Sequence, residues 1–237
     1  MVERERMVVF KSERLLYMPK VSNRYLEERK NEIVDAAEAC FLRKGFHQCT
    51  MQDICRESGL SPGAIYRYFK SKSDIIAAVI ARSTERQAAL IEEARASYSQ
   101  AVRALEAIGE QFFGRLEKEG MERVAALELE VWGEALRNDE LRSTHRRQFR
   151  LLSTALSELF RLAVEQAGIE SPTTRPAGLA HLALAIFHGL QLYRALYPEE
   201  VNVREVLETL SLLLQARLAE SQTRSEAKSS AAATGVS

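Results

Sequence analysis

The chain has 237 residues, 46% of them hydrophobic, with 33 Lys and Arg against 33 Asp and Glu. Zero net charge excludes a protein that holds nucleic acid by bulk positive charge, so any such binding must come from placed contacts and from the pairing of two copies. Only 11 Gly and 5 Pro, with 7% aromatic residues, predict an all-α protein with little strand.

Residues 1–22 carry no clear period, and the apolar run Met7–Phe10 is too short for a secretory signal. They are read as a flexible extension, either a start misplaced upstream of Met18 or a basic arm bringing Lys11, Arg14, Lys20 and Arg24 toward DNA. A helix is expected from about Tyr25 to Lys44, because Ile33, Ala37, Cys40 and Phe41 recur on one face and Gly45 can end it. Phe46 then packs beneath the next two helices.

Residues 50–72, TMQDICRESGLSPGAIYRYFKSK, read as a helix, a tight turn, a short helix and the start of a third. Thr50 has N-cap chemistry, with Asp53 three residues on in a weakened capping box. Met51, Ile54 and Cys55 share the inward face, and Gly59 sits where a helix end needs a left-handed residue. Ser61 caps the short helix, with Pro62 at its first position. Ile65 and Phe69 turn inward and leave Gly63, Ala64, Tyr66, Arg67 and Tyr68 pointing elsewhere; Ser71 caps the next helix with Asp74 in its box position. This is the helix-turn-helix plan, in which the second helix enters the DNA major groove. Small residues at its start admit close approach, Tyr66, Tyr68, Lys70 and Lys72 suit phosphates, and Arg67 is of the type that reads guanine. The plainer alternative is a helical hairpin with a solvated polar face.

A long helix is expected from Lys72 or Ser73, apolar through Ile75, Ile76, Val79 and Ile80 and then polar from Arg82 to Arg95, bridging two domains. From Gln100 to Glu220 every segment reads helical: a stripe from Val102 to Leu116 ended by Gly120, Val124 to Leu136 with Trp132, and Glu140 to Ala167 ended by Gly168. The stretch 171–178 is a Pro- and Gly-punctuated loop. Leu179–Leu196 is apolar almost all round, but His181, His188, Gln191 and Arg194 argue against a membrane span and for a buried or interface helix. Asn202 caps a last helix from Val203 to Leu218. The division is therefore 1–22 as extension, 23–75 as head, 76–220 as helical body and 221–237 as a disordered tail. Cys40, Cys49 and Cys55 are an odd set with no signal peptide. No disulfide framework is expected, the compartment is read as a reducing cytoplasm, and Cys40 as a small apolar core residue.

Residues 27–76 resemble the tetracycline-repressor (TetR) family of one-component bacterial transcription regulators. Gly45-Phe46, Thr50-Met51-Gln52-Asp53-Ile54 and the run from Gly59 to Lys72 carry the likeness. The resemblance implies an N-terminal three-helix DNA-binding head joined by a long helix to a C-terminal bundle. It places Thr50, Tyr66, Tyr68 and Lys72 on phosphate-contacting positions and Gln52, Pro62 and Gly63 near base edges. Ser61 begins the same helix, Ala64 replaces a Thr often found there and so lacks one hydroxyl contact, and Arg67 falls at a variable position. It also implies a homodimer through the last two helices, a palindromic double-stranded operator, and a repressor released by a small-molecule effector bound in the second domain.

Candidate lining for that effector is Phe112, Phe113, Leu127, Trp132, Phe149, Leu152 and Phe187, with Glu128, His188 and Gln191 as polar anchors; for each, simple core filling is the plainer alternative. The lining suits a lipophilic or aromatic compound. His181 and His188 lie about 10 Å apart along a helix, too far for one zinc, and no Cys or carboxylate completes a tetrahedral set. No metal, cofactor or membrane partner is expected. With no nucleophile motif and no phosphate-cradling Gly loop, neither is an enzyme. The rival to a repressor is an effector-independent DNA-binding regulator or architectural protein.

Overall fold

Thr50, Ser61 and Ser71 open three consecutive helices, and each has its side chain on the backbone N–H three residues on, from Asp53, Ala64 and Asp74. The protein is known from a computed structural model in which residues 23–168 and 175–216 are described. Its helices are α1 (Asn23–Lys44), α2 (Met51–Ser58), α3 (Pro62–Tyr66), α4 (Lys72–Ser97), α5 (Ala101–Glu119), α6 (Met121–Ala135), α7 (Asp139–Gln166) and α8 (Pro176–Leu196). Residues 203–216 form a further helix, α9, with Asn202 Oδ1 accepting from Glu205 N at 3.3 Å. The described residues contain no strand. The expectations for 1–22 and 221–237 lie outside the described residues.

The Asp53 box is complete. Asp53 N donates to Thr50 Oγ1 at 3.1 Å, and Thr50 N donates to Asp53 Oδ2 at 3.1 Å. Gly59 ends α2 in the left-handed region at φ 68°, a conformation that costs other residues a Cβ clash. The fold departs from expectation at α8, which begins at Pro176, inside the predicted 171–178 loop. Proline is favoured at a first helical position, where its missing N–H would have no partner.

The head core joins Ile33, Cys40, Phe41, Phe46, Ile54, Ile65, Phe69, Ile75, Ile76 and Val79, and it also takes Val131, Ala135 and Leu141 from α6 and α7. Fully burying each large side chain contributes about 1.5–3 kcal/mol. Three short helices could not bury that much apolar surface alone, and the borrowed residues tie the head to the body. A second core lies between α4, α5, α7 and α8, around Ile91, Ile108, Leu156, Leu159 and Leu184. On the outside, Arg82 of α4 pairs with Asp35 and Glu38 of α1, and Arg86 reaches Glu38 at 2.6 Å. The long helix is thus gripped by the head along its first half and by the body along its second.

Cys40 lies in the core as expected, but the expectation of no disulfide is overturned. Cys40 and Cys49 are joined in a disulfide with their α-carbons 6.2 Å apart, leaving Cys55 free. Gly45, at φ 80°, turns the chain sharply at the end of α1. Residue 49 therefore returns beside the turn that holds residue 40, a tertiary meeting that composition and spacing did not disclose.

Candidate nucleic-acid interface

α3, the second helix of the helix-turn-helix, presents its outer face to solvent. Ser61, Pro62, Gly63, Tyr66 and Arg67 are exposed, Ala64 and Tyr68 are half-buried, and Gln52 at the start of α2 is exposed beside them. Ile65 and Phe69 anchor the opposite face at 0% and 4% exposure. A Cβ added at Gly63 would meet nothing within 4 Å, so glycine there is not demanded by the fold. It leaves the backbone bare on the outward face.

Two expected phosphate contacts have their donors engaged inside the protein. Thr50 sends its hydroxyl to Asp53 Oδ2 at 2.8 Å and its N–H to the same oxygen. The first-turn amides of Met51 and Gln52 have no intrahelical acceptor, so at this end of α2 the free donors are backbone groups at the positive end of the helix dipole. Lys72 sends its Nζ inward to the carbonyls of Phe46 at 2.7 Å, Cys49 at 3.0 Å and His47 at 3.3 Å. Its ammonium also lies 4.5 Å from the centroid of the Phe46 ring. Burial lowers its pKa, opposed by Glu130 and Glu134. Lys72 closes the α1–α2 loop, a role its spacing in the motif concealed. Tyr66, Arg67 and Tyr68 carry no such internal bond among those described.

Asp53 holds the base of this surface. The Lys44 ammonium at 2.8 Å, then the Thr50 N–H and hydroxyl, pull its carboxyl well below the usual carboxylate range. A carboxyl whose folded pKa is depressed contributes stability above its unfolded pKa of about 3.9 and loses it as pH falls toward the folded value. Asp53→Asn should flatten the fall of the urea midpoint below about pH 4 while removing part of the neutral-pH stability. An unchanged acid limb would exclude this carboxyl as a contributor.

The body holds a small cavity of about 40 Å³ lined by Gln87, Leu90 and Ile91 of α4, Ile108 and Phe112 of α5, Leu152 and Leu156 of α7, and Leu184, Phe187 and His188 of α8. Of the expected lining, Phe112, Leu152, Phe187 and His188 meet there. Phe113 is buried behind them, stacked on Phe187 with centroids 5.6 Å apart. Phe149 is corrected: it stands outside this cavity, 43% exposed, with its ring 5.2 Å from that of His181 on α8. Trp132 lies one layer away, its ring 5.0 Å from that of His188. The α4 residues were missed because the polar run from Arg82 to Arg95 hid Ile91 and Ala94, both buried at helical spacing.

Beside the cavity stands a polar cluster. Glu128 Oε2 accepts from Gln191 Nε2 at 2.8 Å, and Glu128 Oε1 lies 2.8 Å from His188 Nδ1, close enough for an ion pair but poorly aimed for a hydrogen bond. Burial holds the His145 imidazole below its ordinary value, with Glu128 opposing and His188 adding to the shift. Two residues along α6, on its other side, Glu130 Oε2 accepts the His47 N–H at 3.2 Å. A Cβ on Gly45 would lie 2.5 Å from Glu130 Oε1. The Glu130 carboxylate could swing aside from such a Cβ, so it is the φ of 80° that calls for glycine where the head meets α6.

Residues 33–79 match the family profile described as bacterial regulatory proteins, tetR family, and residues 101–219 match that of the BetI-type transcriptional repressor C-terminal domain. The HTH-type transcriptional regulator YfiR of Bacillus subtilis, itself uncharacterized, is 26% identical over 199 residues, covering 83% of this chain and 95% of that protein. The fold matches a transcriptional regulator from Pseudomonas aeruginosa PAO1 at TM-score 0.70 and 23% identity, over 84% of this chain and 94% of that one. It also matches FadR of Bacillus subtilis, solved with stearoyl-CoA, at TM-score 0.65 and 19% identity, over 78% and 96% of the two chains. These relatives are transcription regulators, not enzymes.

Proposed function

We propose that this chain, which belongs to the TetR family of bacterial regulatory proteins, is a repressor that a small-molecule effector releases from a palindromic operator. The observation that carries the proposal is α4. This unbroken helix of 26 residues starts in the core of the DNA-binding head and ends as a wall of the cavity in the body. A ligand that moves the wall moves the head.

The cavity holds only about one water as it stands, so a metabolite entering it must part α4 from α7 and α8. Its lining is mostly aliphatic and aromatic, which favours a lipophilic or aromatic effector whose polar end reaches Glu128, His188 or Gln191. The stearoyl-CoA bound by FadR is of that general character. Glu128 faces the cavity side of α6 and Glu130 the head, so α6 offers a second route by which a change at one site is felt at the other. A route of this kind is an allosteric coupling only if the effector binds the two head positions with different affinity.

Two copies are needed to read a palindrome. Leu182, Tyr193 and Leu196 of α8 and Leu212 and Leu213 of α9 are exposed in the single chain, an apolar face suited to a four-helix interface with the same helices of a partner. Effector binding then changes the distance between the two α3 helices, and heads no longer matched to successive major grooves, about 34 Å apart, release the DNA. Crosslinking the heads at operator spacing should abolish the effector response; a response that survives the crosslink would reject this mechanism. A protein whose melting shifts with no metabolite would instead be an effector-independent regulator.

Single contacts separate anchoring from reading. Tyr66→Phe should weaken binding to every duplex by about 1 kcal/mol, whereas Gln52→Ala should also relax discrimination at one base pair. A gel-shift series with unchanged affinities would remove both residues from the interface.

A further inference from the structure

We propose that Cys40 and Cys49 form a thiol–disulfide control site through which oxidation state sets how firmly the head holds DNA. The proposal rests on the operator-binding function above. Both cysteines are fully buried, Cys40 in the last turns of α1 and Cys49 immediately before Thr50, the N-cap of α2. The bond closes the loop around Gly45, and three contacts that seat the head converge on that loop. They are the Cys49 carbonyl on Lys72 Nζ at 3.0 Å, the His47 N–H on Glu130 at 3.2 Å, and the reciprocal Thr50–Asp53 cap.

The chemistry is ordinary exchange. Both sulfurs are buried, so a small dithiol reductant reaches one of them as the loop around Gly45 opens; its thiolate then attacks that sulfur and forms a mixed disulfide. Its second thiol then closes a ring and leaves, so that the Cys40–Cys49 bond is replaced by two S–H groups. The two electrons and two protons come from the reductant. In reverse, a low-molecular-weight disulfide accepts the same electrons and protons. Where the compartment is reducing, a disulfide belongs to the transient, sensing class more often than to the structural one. Asp53 also stands within 4.8 Å of both sulfurs, but its carboxylate already holds Lys44 and Thr50, so the donors do not make up a tetrahedral metal set.

Reduction replaces a bond by van der Waals contact, and two free thiols need more room than two bonded sulfurs. The neighbours Phe41, Ile33 and Ile54 are fully buried and a packed core does not stretch, so the adjustment falls on residues 45–49. That displaces Thr50 and loosens the Lys72 and Glu130 contacts together. The oxidised protein is therefore the tighter DNA binder.

The test uses the full-length chain, oxidised with glutathione disulfide or reduced with dithiothreitol, against a duplex selected from a random library by the oxidised form. Alkylation should reveal two more thiols after reduction, and fluorescence anisotropy should give an affinity about tenfold weaker, a difference of about 1.4 kcal/mol. Cys55→Ser should keep the response, and Cys40→Ala/Cys49→Ala should bind like the reduced protein in both conditions. Equal affinities in the two states, tighter binding by the reduced form, or an unchanged thiol count would overturn the proposal. Because the wild-type comparison is decisive, a variant that fails to fold does not protect it. If neither state selects any duplex, the operator-binding function fails and takes this site with it.

Discussion

Lys72→Met should lower the stability of the head by about 2–3 kcal/mol, the scale of charge-assisted hydrogen bonds lost from buried carbonyls. Three carbonyls, of Phe46, His47 and Cys49, converge on this one ammonium, and the Phe46 ring adds a cation–π contact worth about 0.5–1 kcal/mol at a half-exposed site. Removing the ammonium leaves the carbonyls facing a methyl group, with water able to replace only those at the rim. A lysine that served phosphate alone would behave otherwise. Its loss would leave the urea midpoint where it was and weaken DNA binding uniformly, with a shallower salt dependence. Lys72→Arg separates the two further, since a planar guanidinium cannot place three donors around one point. An unfolding midpoint unmoved by Lys72→Met would return this residue to the DNA surface.

Phe41→Ala should cost about 3–5 kcal/mol, the range for emptying an aromatic site in a packed core. Phe41 is fully buried, with its ring 5.7 Å from that of Phe46 in an edge contact, and it stands where α1, the Gly45 loop and α4 meet. Because the head core is largely separate from the core around Leu156 and Leu159, the loss should fall on the head. Thermal unfolding followed by circular dichroism should split, with a low transition for the head and a nearly unchanged one for the body, and DNA binding should vanish at the temperature of the first. A single transition shifted as a whole would mean that Val131, Ala135 and Leu141 bind the two parts into one cooperative unit.

The head was legible because its signals are local. Caps at Thr50, Ser61 and Ser71, left-handed glycines at 45 and 59 and the apolar period of α1 each act within a few residues, and the structure carries all of them. What escaped was tertiary. The Glu130–His47 contact joins residues 83 positions apart, and nothing in α6 distinguishes Glu130 from a solvated acid. The disulfide depends on the direction in which one glycine turns the chain. Phe149 shares the flank of α7 that carries Leu156 and Phe160 but meets His181 of α8 instead of the cavity, and helical period alone does not tell which stretch of an amphipathic face a cavity occupies. On α4 the error was opposite in kind: charged residues dominate the run after Arg82, yet Thr84, Ile91 and Ala94 are buried and face the body.

On the proposed function, α3 lays Pro62, Gly63, Tyr66 and Arg67 against DNA in two copies at once. Hydroxyl-radical footprinting of the full-length protein on a duplex selected from a random library tests it most directly. Two protected half-sites should appear, related by a two-fold axis and centred on major grooves on one face of the duplex, and Tyr66→Phe should weaken both equally. Protection of one unrepeated site, or protection that survives replacement of all four residues, would mean that a pair of α3 helices does not read the DNA.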